Sequence, residues 1–245
     1  MNILRKIKNR LSPAPYFLVM GAGRGGTSLL AAMLDSHPKL SVGMEMFAFD
    51  YLLAEKIDEK EKDSLIKRVS SFNRACENVA SSLKTLWGNK ITSEQVFELS
   101  KCEGAVWPNY FDYFLSKTVG KNKVVFIVRD GRSCVQSKLN RTEQGYSTAL
   151  KRWKYSISLL KHLQKTHGNL HVVYYEQLVE NPKRELEKLA TFFNVPFAKE
   201  MLEGHKNKIL PDIYKGQELK INTSQNWSQN WTDDMRVELT ELGYL

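Results

Sequence analysis

The stretch that most constrains this chain is residues 16–34, YFLVMGAGRGGTSLLAAML. Five mostly apolar residues run into a cluster of glycines, and a helical pattern of leucines begins directly after it. A buried strand ending in glycines that open a helix is the build of an anion-cradling turn. The backbone N–H groups at a helix N-terminus have no intrahelical partner and point outward with the positive end of the helix dipole. The pattern predicts a strand over 16–20. It predicts a helix over 27–36 with Leu29, Leu30, Met33 and Leu34 on one face. His37-Pro38 ends it.

The rest of the chain alternates in the same way. Leu40 to Val42 reads as a second strand. Lys123 to Val128 (KVVFIV) is the clearest buried strand, and its lack of alternation points to a parallel sheet covered on both faces. Leu170 to Tyr174 (LHVVY) is another. Helices are expected at 132–140, 147–165 and 182–193, the last with Pro182 in its first turn. Asn109 is a candidate cap for a helix through Ser116. Residues 47–101 are charged, periodic and poor in strand signals, and read as a helical insert. Residues 206–231 are polar with scattered aromatics and read as a loop covering substrate or cofactor through Trp227 or Trp231. The order predicts one α/β domain over 1–245: a P-loop-like, mainly parallel sheet flanked by helices, with a helical insert. Ligands bind such sheets beyond the carboxyl ends of the strands. That puts the glycine turn, Arg129 and Tyr175 along one edge, since each follows a strand.

The net charge of +9 suggests an anionic partner. No RNP-like, zinc-finger or helix-turn-helix pattern is present, so no nucleic-acid partner is expected. Three widely spaced cysteines, Cys76, Cys102 and Cys134, form no disulfide framework or zinc site and fit a reduced, cytoplasmic setting. The N-terminal residues are basic without an apolar h-region, so no signal peptide is read there. Residues 1–11 carry at most a peripheral membrane contact through a short amphipathic helix. The oligomeric state is not written in the sequence.

Two familiar templates partly fit the turn. Gly21-x-Gly23-x-x-Gly26 matches a dinucleotide fingerprint, and Glu45 lies near the distance of a ribose-binding acid. That reading makes the chain an NAD(P)-binding oxidoreductase. Arg24 inside the turn and Thr27-Ser28 just past it speak against it. The spacing of Gly21 and Gly26 also fits a Walker A loop, but the lysine that should follow Gly26 is absent. Asp130 follows a strand as a magnesium-binding acid would, although Arg129 intervenes. A third reading keeps the loop and changes the ligand. Backbone amides of Gly23, Gly25 and Gly26, the Arg24 charge and the Thr27 and Ser28 hydroxyls would hold a phosphate without metal.

GAGRGGTSLL resembles the 5′-phosphosulfate loop of PAPS-dependent sulfotransferases. VVFIVRDGRSCVQS is similar to a second element of that family, an arginine after a buried strand and a serine eight residues on, here Arg129 and Ser137. In the family that pair grips the 3′-phosphate of 3′-phosphoadenosine 5′-phosphosulfate (PAPS), a group that ATP and NAD lack. The stretch from Arg24 to Phe47 resembles the tyrosylprotein sulfotransferase branch, in which Glu45 falls at the catalytic base and Arg141 matches a further arginine. YEQLVENP resembles the segment whose tyrosine, here Tyr175, lies near the nucleotide. The resemblance implies metal-free, in-line transfer of a sulfuryl group to a small-molecule, lipid or glycan hydroxyl or amine, leaving PAP. It implies Glu45 as base and Arg24 as the group that stabilises the bridging oxygen. Many members carry a lysine before the proline of a KTP or KDP element. The corresponding stretch is read here as GAVWPNYF, with Val106 and Trp107 before Pro108, so that lysine is missing. Lys84, Lys101 or a tail lysine are its candidate replacements, and a fold that binds PAP without turnover is the reading that its loss leaves open.

Overall fold

The computed structural model describes residues 15–119, 122–210, 227 and 229–245. Its centre is a sheet of five parallel strands: β1 (Phe17–Gly21), β2 (Leu40–Met44), β3 (Leu86–Lys90), β4 (Val124–Val128) and β5 (Leu170–Tyr174). They lie in the order β2-β3-β1-β4-β5. The register runs Leu18 to Val124 through Gly21 to Ile127 on one side of β1, and Phe17 to Gly88 through Val19 to Lys90 on the other.

The sheet is covered on both faces, as its unbroken apolar strands require. Successive side chains of a strand point to opposite faces. Leu18, Met20, Val124, Phe126 and Val128 therefore enter one core, with Phe72, Phe111, Trp153 and Leu160. Phe17, Val19, Val125 and Ile127 enter the other, with Leu30, Leu34, Leu186 and Phe193. The first layer is built by α2 (Leu65–Ser82), α4 (Asn109–Phe114), α6 (Tyr146–Thr166) and α9 (Gln229–Glu241). The second is built by α1 (Thr27–Asp35) and α8 (Pro182–Phe193). Between them in the chain lie α3 (Ser93–Phe97), α5 (Gly131–Leu139) and α7 (Tyr175–Glu180). No helix among the described residues is long and apolar enough to cross a membrane.

Two expectations are corrected here. Residues 47–101 are not purely helical and not an insert beside the sheet. They contribute β3, which lies between β1 and β2 and is hydrogen-bonded to both. Its sequence, LWGNK, has only two apolar side chains and so carries no strand pattern. Gly88 is required because a Cβ there would lie 2.3 Å from the Phe17 ring. Asn89 and Lys90 are polar yet buried, with hydrogen bonds to the Met46 carbonyl and to Glu45. The second correction is small. Asn109 is the first residue of α4, and Pro108 holds the cap position. Most of 206–231, and all of 1–11, lie outside the described residues.

Candidate functional site

The chain leaves β1 at Gly21 and turns over residues 22–26 into α1, with the Gly25 N–H donating to the Ala22 carbonyl at 2.9 Å. Gly26 caps α1 at φ +94°, a left-handed conformation that suits glycine. A Cβ at Gly26 would lie 2.4 Å from the Tyr175 ring, so space as well as conformation requires glycine there. With glycine as cap, no side chain of that residue accepts from the first-turn N–H groups, and the first turn holds no acid. Thr27 is buried and Ser28 half-buried at this helix start.

Arg24 has φ +70°, left-handed backbone in a non-glycine residue. Such strain costs about 1–3 kcal/mol and persists where surrounding contacts hold it. Two contacts do so. Its Nε donates to Ser137 Oγ at 3.0 Å, and its carbonyl accepts from Arg129 Nη1 at 3.0 Å. The expected loop residues and the expected second grip thus meet, brought from β1, β4 and α5.

Arg129 follows β4. Its guanidinium lies 4.4 Å from the centroid of the Tyr175 ring, which presses on Gly26 from the start of α7. Arg129 Nε is buried and has no hydrogen-bond partner among the described residues. A buried charged donor left unmade is expensive, and an oxyanion satisfies it best. The turn after Arg129 is braced from below. Asp130 accepts from the Arg132 N–H at 2.8 Å and pairs with the Arg132 guanidinium at 2.6 Å. Glu176 accepts from the Asp130 N–H at 3.1 Å and from Tyr244 Oη at 2.6 Å. Burial against Glu176 pushes the Tyr244 phenol well up, which keeps it a donor. Arg141 stands on the exposed turn beyond α5, four residues after Ser137.

The second half of the site lies at the ends of β2 and β3. Glu45 follows β2 at φ +56°. Its flanking residues are apolar in sequence, but its spatial neighbours are polar. Lys90 Nζ, at the end of β3, donates to Glu45 Oε1, and Gln95 Nε2 donates to Oε2 at 2.8 Å. The Gln95 amide is aimed by a capping box. Its Oε1 accepts from the Thr92 N–H at 2.9 Å as α3 begins, leaving Nε2 for Glu45. Asn89, fully buried, holds the turn itself: it accepts from the Met46 N–H at 3.1 Å and donates to the Met46 carbonyl at 2.7 Å.

Lys90 corrects the expectation of a missing lysine. The cation is present, with its side chain only 5% exposed, against the expected base. The lysine lies at the end of β3 rather than near Pro108, and LWGNK carries no strand pattern that would point to it. Lys84 is exposed and Lys101 pairs with Glu98 at the surface, so neither replaces it. The Thr92-x-x-Gln95 capping-box spacing was the one signal that marks a helix start directly after Lys90. His37 is structural: Nε2 is 2.8 Å from the Pro196 carbonyl and Nδ1 accepts from the Lys39 N–H. Trp231 stacks on Tyr146 at 5.1 Å, a packing role in α9. The Trp227 ring centroid lies 4.3 Å from the guanidinium of Arg132, a residue of α5.

The other templates fail on geometry. In a dinucleotide-binding sheet the second strand lies next to the first, so that its terminal acid reaches the ribose. Here β3 separates them, and Glu45 is taken up by Lys90 and Gln95. Asp130 is engaged with Arg132 and the start of α5 rather than held out for magnesium.

Residues 15–199 match the family model described as the sulfotransferase family. Protein-tyrosine sulfotransferase A of Caenorhabditis elegans is 24% identical over 214 residues, covering 84% of this chain and 56% of its own length. The protein-tyrosine sulfotransferase of Drosophila melanogaster is 26% identical over 194 residues, covering 75% and 38%. The chain spans about half the length, or less, of these curated relatives. Among solved structures, the sulfotransferase domain of the Synechococcus PCC 7002 olefin synthase superposes with a TM-score of 0.64 at 16% identity, over 94% of this chain and 95% of that one. A mouse sulfotransferase complexed with PAP superposes with a TM-score of 0.53 at 12% identity, over 95% and 89%. These likenesses concern the fold, and the family match covers the loop, β3, Arg129, Ser137 and Tyr175. The chain belongs to the sulfotransferase family.

Proposed function

We propose that this chain transfers the sulfuryl group of PAPS to a hydroxyl or amine of an acceptor. The observation that carries the reading is Arg129. Its buried Nε has no hydrogen-bond partner among the described residues, and it lies by Arg24, Ser137 and the first turn of α1, which supply further donors. That donor set suits two phosphates held apart, as PAPS presents them at its 5′ and 3′ positions. When bound, PAPS supplies a sulfur centre on a phosphate leaving group.

The residues then divide the work. The N–H groups of residues 26–28, with the Thr27 and Ser28 hydroxyls, hold the 5′ side; the Gly23 N–H, expected among these donors, is taken up by Glu94, and the Gly25 N–H by the Ala22 carbonyl. Arg129 and Ser137 hold the 3′-phosphate, with Arg141 at the rim and the Tyr175 ring beneath the Arg129 guanidinium. Glu45 takes the acceptor proton at a carboxylate oxygen while the acceptor atom bonds to sulfur. The bond from sulfur to the bridging oxygen breaks, and its electron pair stays on that oxygen. Arg24 meets this charge. Lys90 and Gln95 orient Glu45, and Lys90 brings a second cation to the point of transfer. Donors fixed before reaction are the most effective way to stabilise charge that develops during it.

The acceptor is proposed as a small-molecule, lipid or glycan hydroxyl, with a tyrosine side chain as the class raised by the names of the curated relatives. A reduced, cytoplasmic setting is supported by Cys76, Cys102 and Cys134, all buried and free. Calorimetry with PAP, ADP and NAD tests the nucleotide reading. PAP binding much more tightly than the others supports it, and equal affinities overturn it. A screen with labelled PAPS against phenols, sterols, oligosaccharides and an acidic tyrosine peptide then identifies the acceptor class.

A further inference from the structure

Glu94 belongs neither to the phosphate donors nor to the proton-transfer group, yet it is tied to both walls of the nucleotide site. Both of its carboxylate oxygens accept from the Gly23 N–H, at 3.0 and 2.9 Å. Lys138 Nζ donates to its Oε1, and Ser93 Oγ to its Oε2 at 3.2 Å. The Glu94 and Lys138 side chains are 16% and 4% exposed. Gly23 makes the approach possible, because a Cβ there would already lie 3.0 Å from Glu94 Oε1.

The positions of these partners matter. Gly23 precedes Arg24 in the loop, and Lys138 follows Ser137 on α5. Two links therefore join the loop to α5. One is the Arg24–Ser137 hydrogen bond, 3.0 Å long. It is made of groups that turn toward phosphate when a nucleotide is seated. The other runs from Gly23 through Glu94 to Lys138. It uses no nucleotide-facing group and so persists when the first is exchanged. Its ion pair is charge-balanced, so it adds no net repulsion toward an anionic ligand.

We infer that Glu94 is a positioning residue: its bridge from Gly23 to Lys138 sets the separation of the 5′-phosphate loop from the 3′-phosphate grip, and with it the selectivity for nucleotides phosphorylated at both positions. This rests on the proposed PAPS reading of the site. Gln95, the next residue, steadies Glu45 in the same first turn of α3, so one short helix serves the loop with one side chain and the base with the other.

The test is the affinity ratio between PAP and AMP, which differ only in the 3′-phosphate, measured by calorimetry on the full chain. In the native protein PAP should bind at least about tenfold tighter, the scale of one charge-assisted contact. If the native protein shows no such preference, the PAPS reading itself fails. Given the preference, Glu94→Ala should bring the ratio close to one while AMP affinity changes little. Glu94→Gln, which keeps one acceptor for Gly23 but loses the charge, should retain an intermediate ratio. Lys138→Met should reduce PAP affinity, and adding Glu94→Gln to it should restore part of that loss. Thermal melts establish that each variant is folded, and Glu94→Gln serves if Glu94→Ala is not. A native-like ratio in the folded variants, or an equal fall for PAP and AMP, overturns the inference.

Discussion

Arg129 donates from Nη1 to the backbone carbonyl of Arg24 across 105 residues of sequence, at 3.0 Å. Two guanidinium groups are thereby gathered at one loop, each buried in part, against their mutual repulsion. A bound oxyanion relieves that repulsion and also satisfies Arg129 Nε. The relationship ties the loop to the end of β4, so the two proposed phosphate grips share one connected frame.

Removing Arg129 should therefore damage recognition of the 3′-phosphate more than anything else. Arg129→Ala should weaken PAP binding about 10- to 100-fold, the scale of a charged hydrogen-bonded contact. AMP binding should fall much less. Arg129→Lys should recover only part, because an ammonium lacks the planar fork. Calorimetry with both nucleotides reads the difference. An equal loss for both would limit Arg129 to supporting the loop.

Glu45→Gln should leave PAP affinity unchanged and reduce the rate of transfer by about 10²–10⁴, the usual range for a general base. Lys90→Met should also spare PAP binding and slow transfer, because Glu45 then keeps only Gln95 as an orienting donor. Steady-state rates with an acceptor found by the labelled-PAPS screen provide the check. Full activity in Glu45→Gln would clear Glu45 of the proton-transfer role.

Gly26→Ala should be poorly tolerated. The position has φ +94°, and the new Cβ would lie 2.4 Å from the Tyr175 ring. Strain of this kind costs about 1–3 kcal/mol, and the Tyr175 ring must move from beneath Arg129. Lower melting temperature and weaker PAP binding should appear together. Gly168→Ala is the control, since nothing lies within 4 Å of a Cβ there. Equal melting temperatures for the two variants would contradict the close-packing argument.

Stability should decline in alkaline solution. Burial pushes the thiols of Cys76 and Cys134 up from 9.0 to about 12. The folded state therefore keeps these protons while the unfolded state releases them. Their contribution is whole below pH 9 and is lost as pH rises from 9 toward 12, on the order of 1 kcal/mol per pH unit for each group. Urea unfolding at pH 8 and pH 10.5 should show the lower midpoint at pH 10.5. A thiol reagent should label these cysteines only on unfolding, and rapid labelling of the native protein would contradict their burial.

Much of the architecture was legible because local pattern and tertiary role agree. KVVFIV is apolar throughout because it is buried on both faces, and β4 lies where that predicts. The strand at Leu170–Tyr174 and the helix at Pro182–Phe193 have the expected bounds. Arg24, Arg129, Ser137 and Tyr175 were identified one by one and are found in mutual contact or adjacency. β3 was not legible. Its Gly88 makes room for Phe17, and its Asn89 and Lys90 are buried polar residues bonded to the turn after β2, so it departs from strand patterning.

What the sequence determined on its own was the order of four of the five strands and of the helices around them, the glycine turn and the two arginine-bearing elements. These follow from periodicity and from backbone conformations that few residues other than glycine adopt. Only the tertiary structure decided that β3 separates β1 from β2, which removes a dinucleotide geometry. It also decided that Lys90 and Gln95 bracket Glu45 and that Glu94 joins the loop to α5. Those pairings span 45, 50 and as many as 71 residues. No local period encodes them, because each depends on which strands lie side by side.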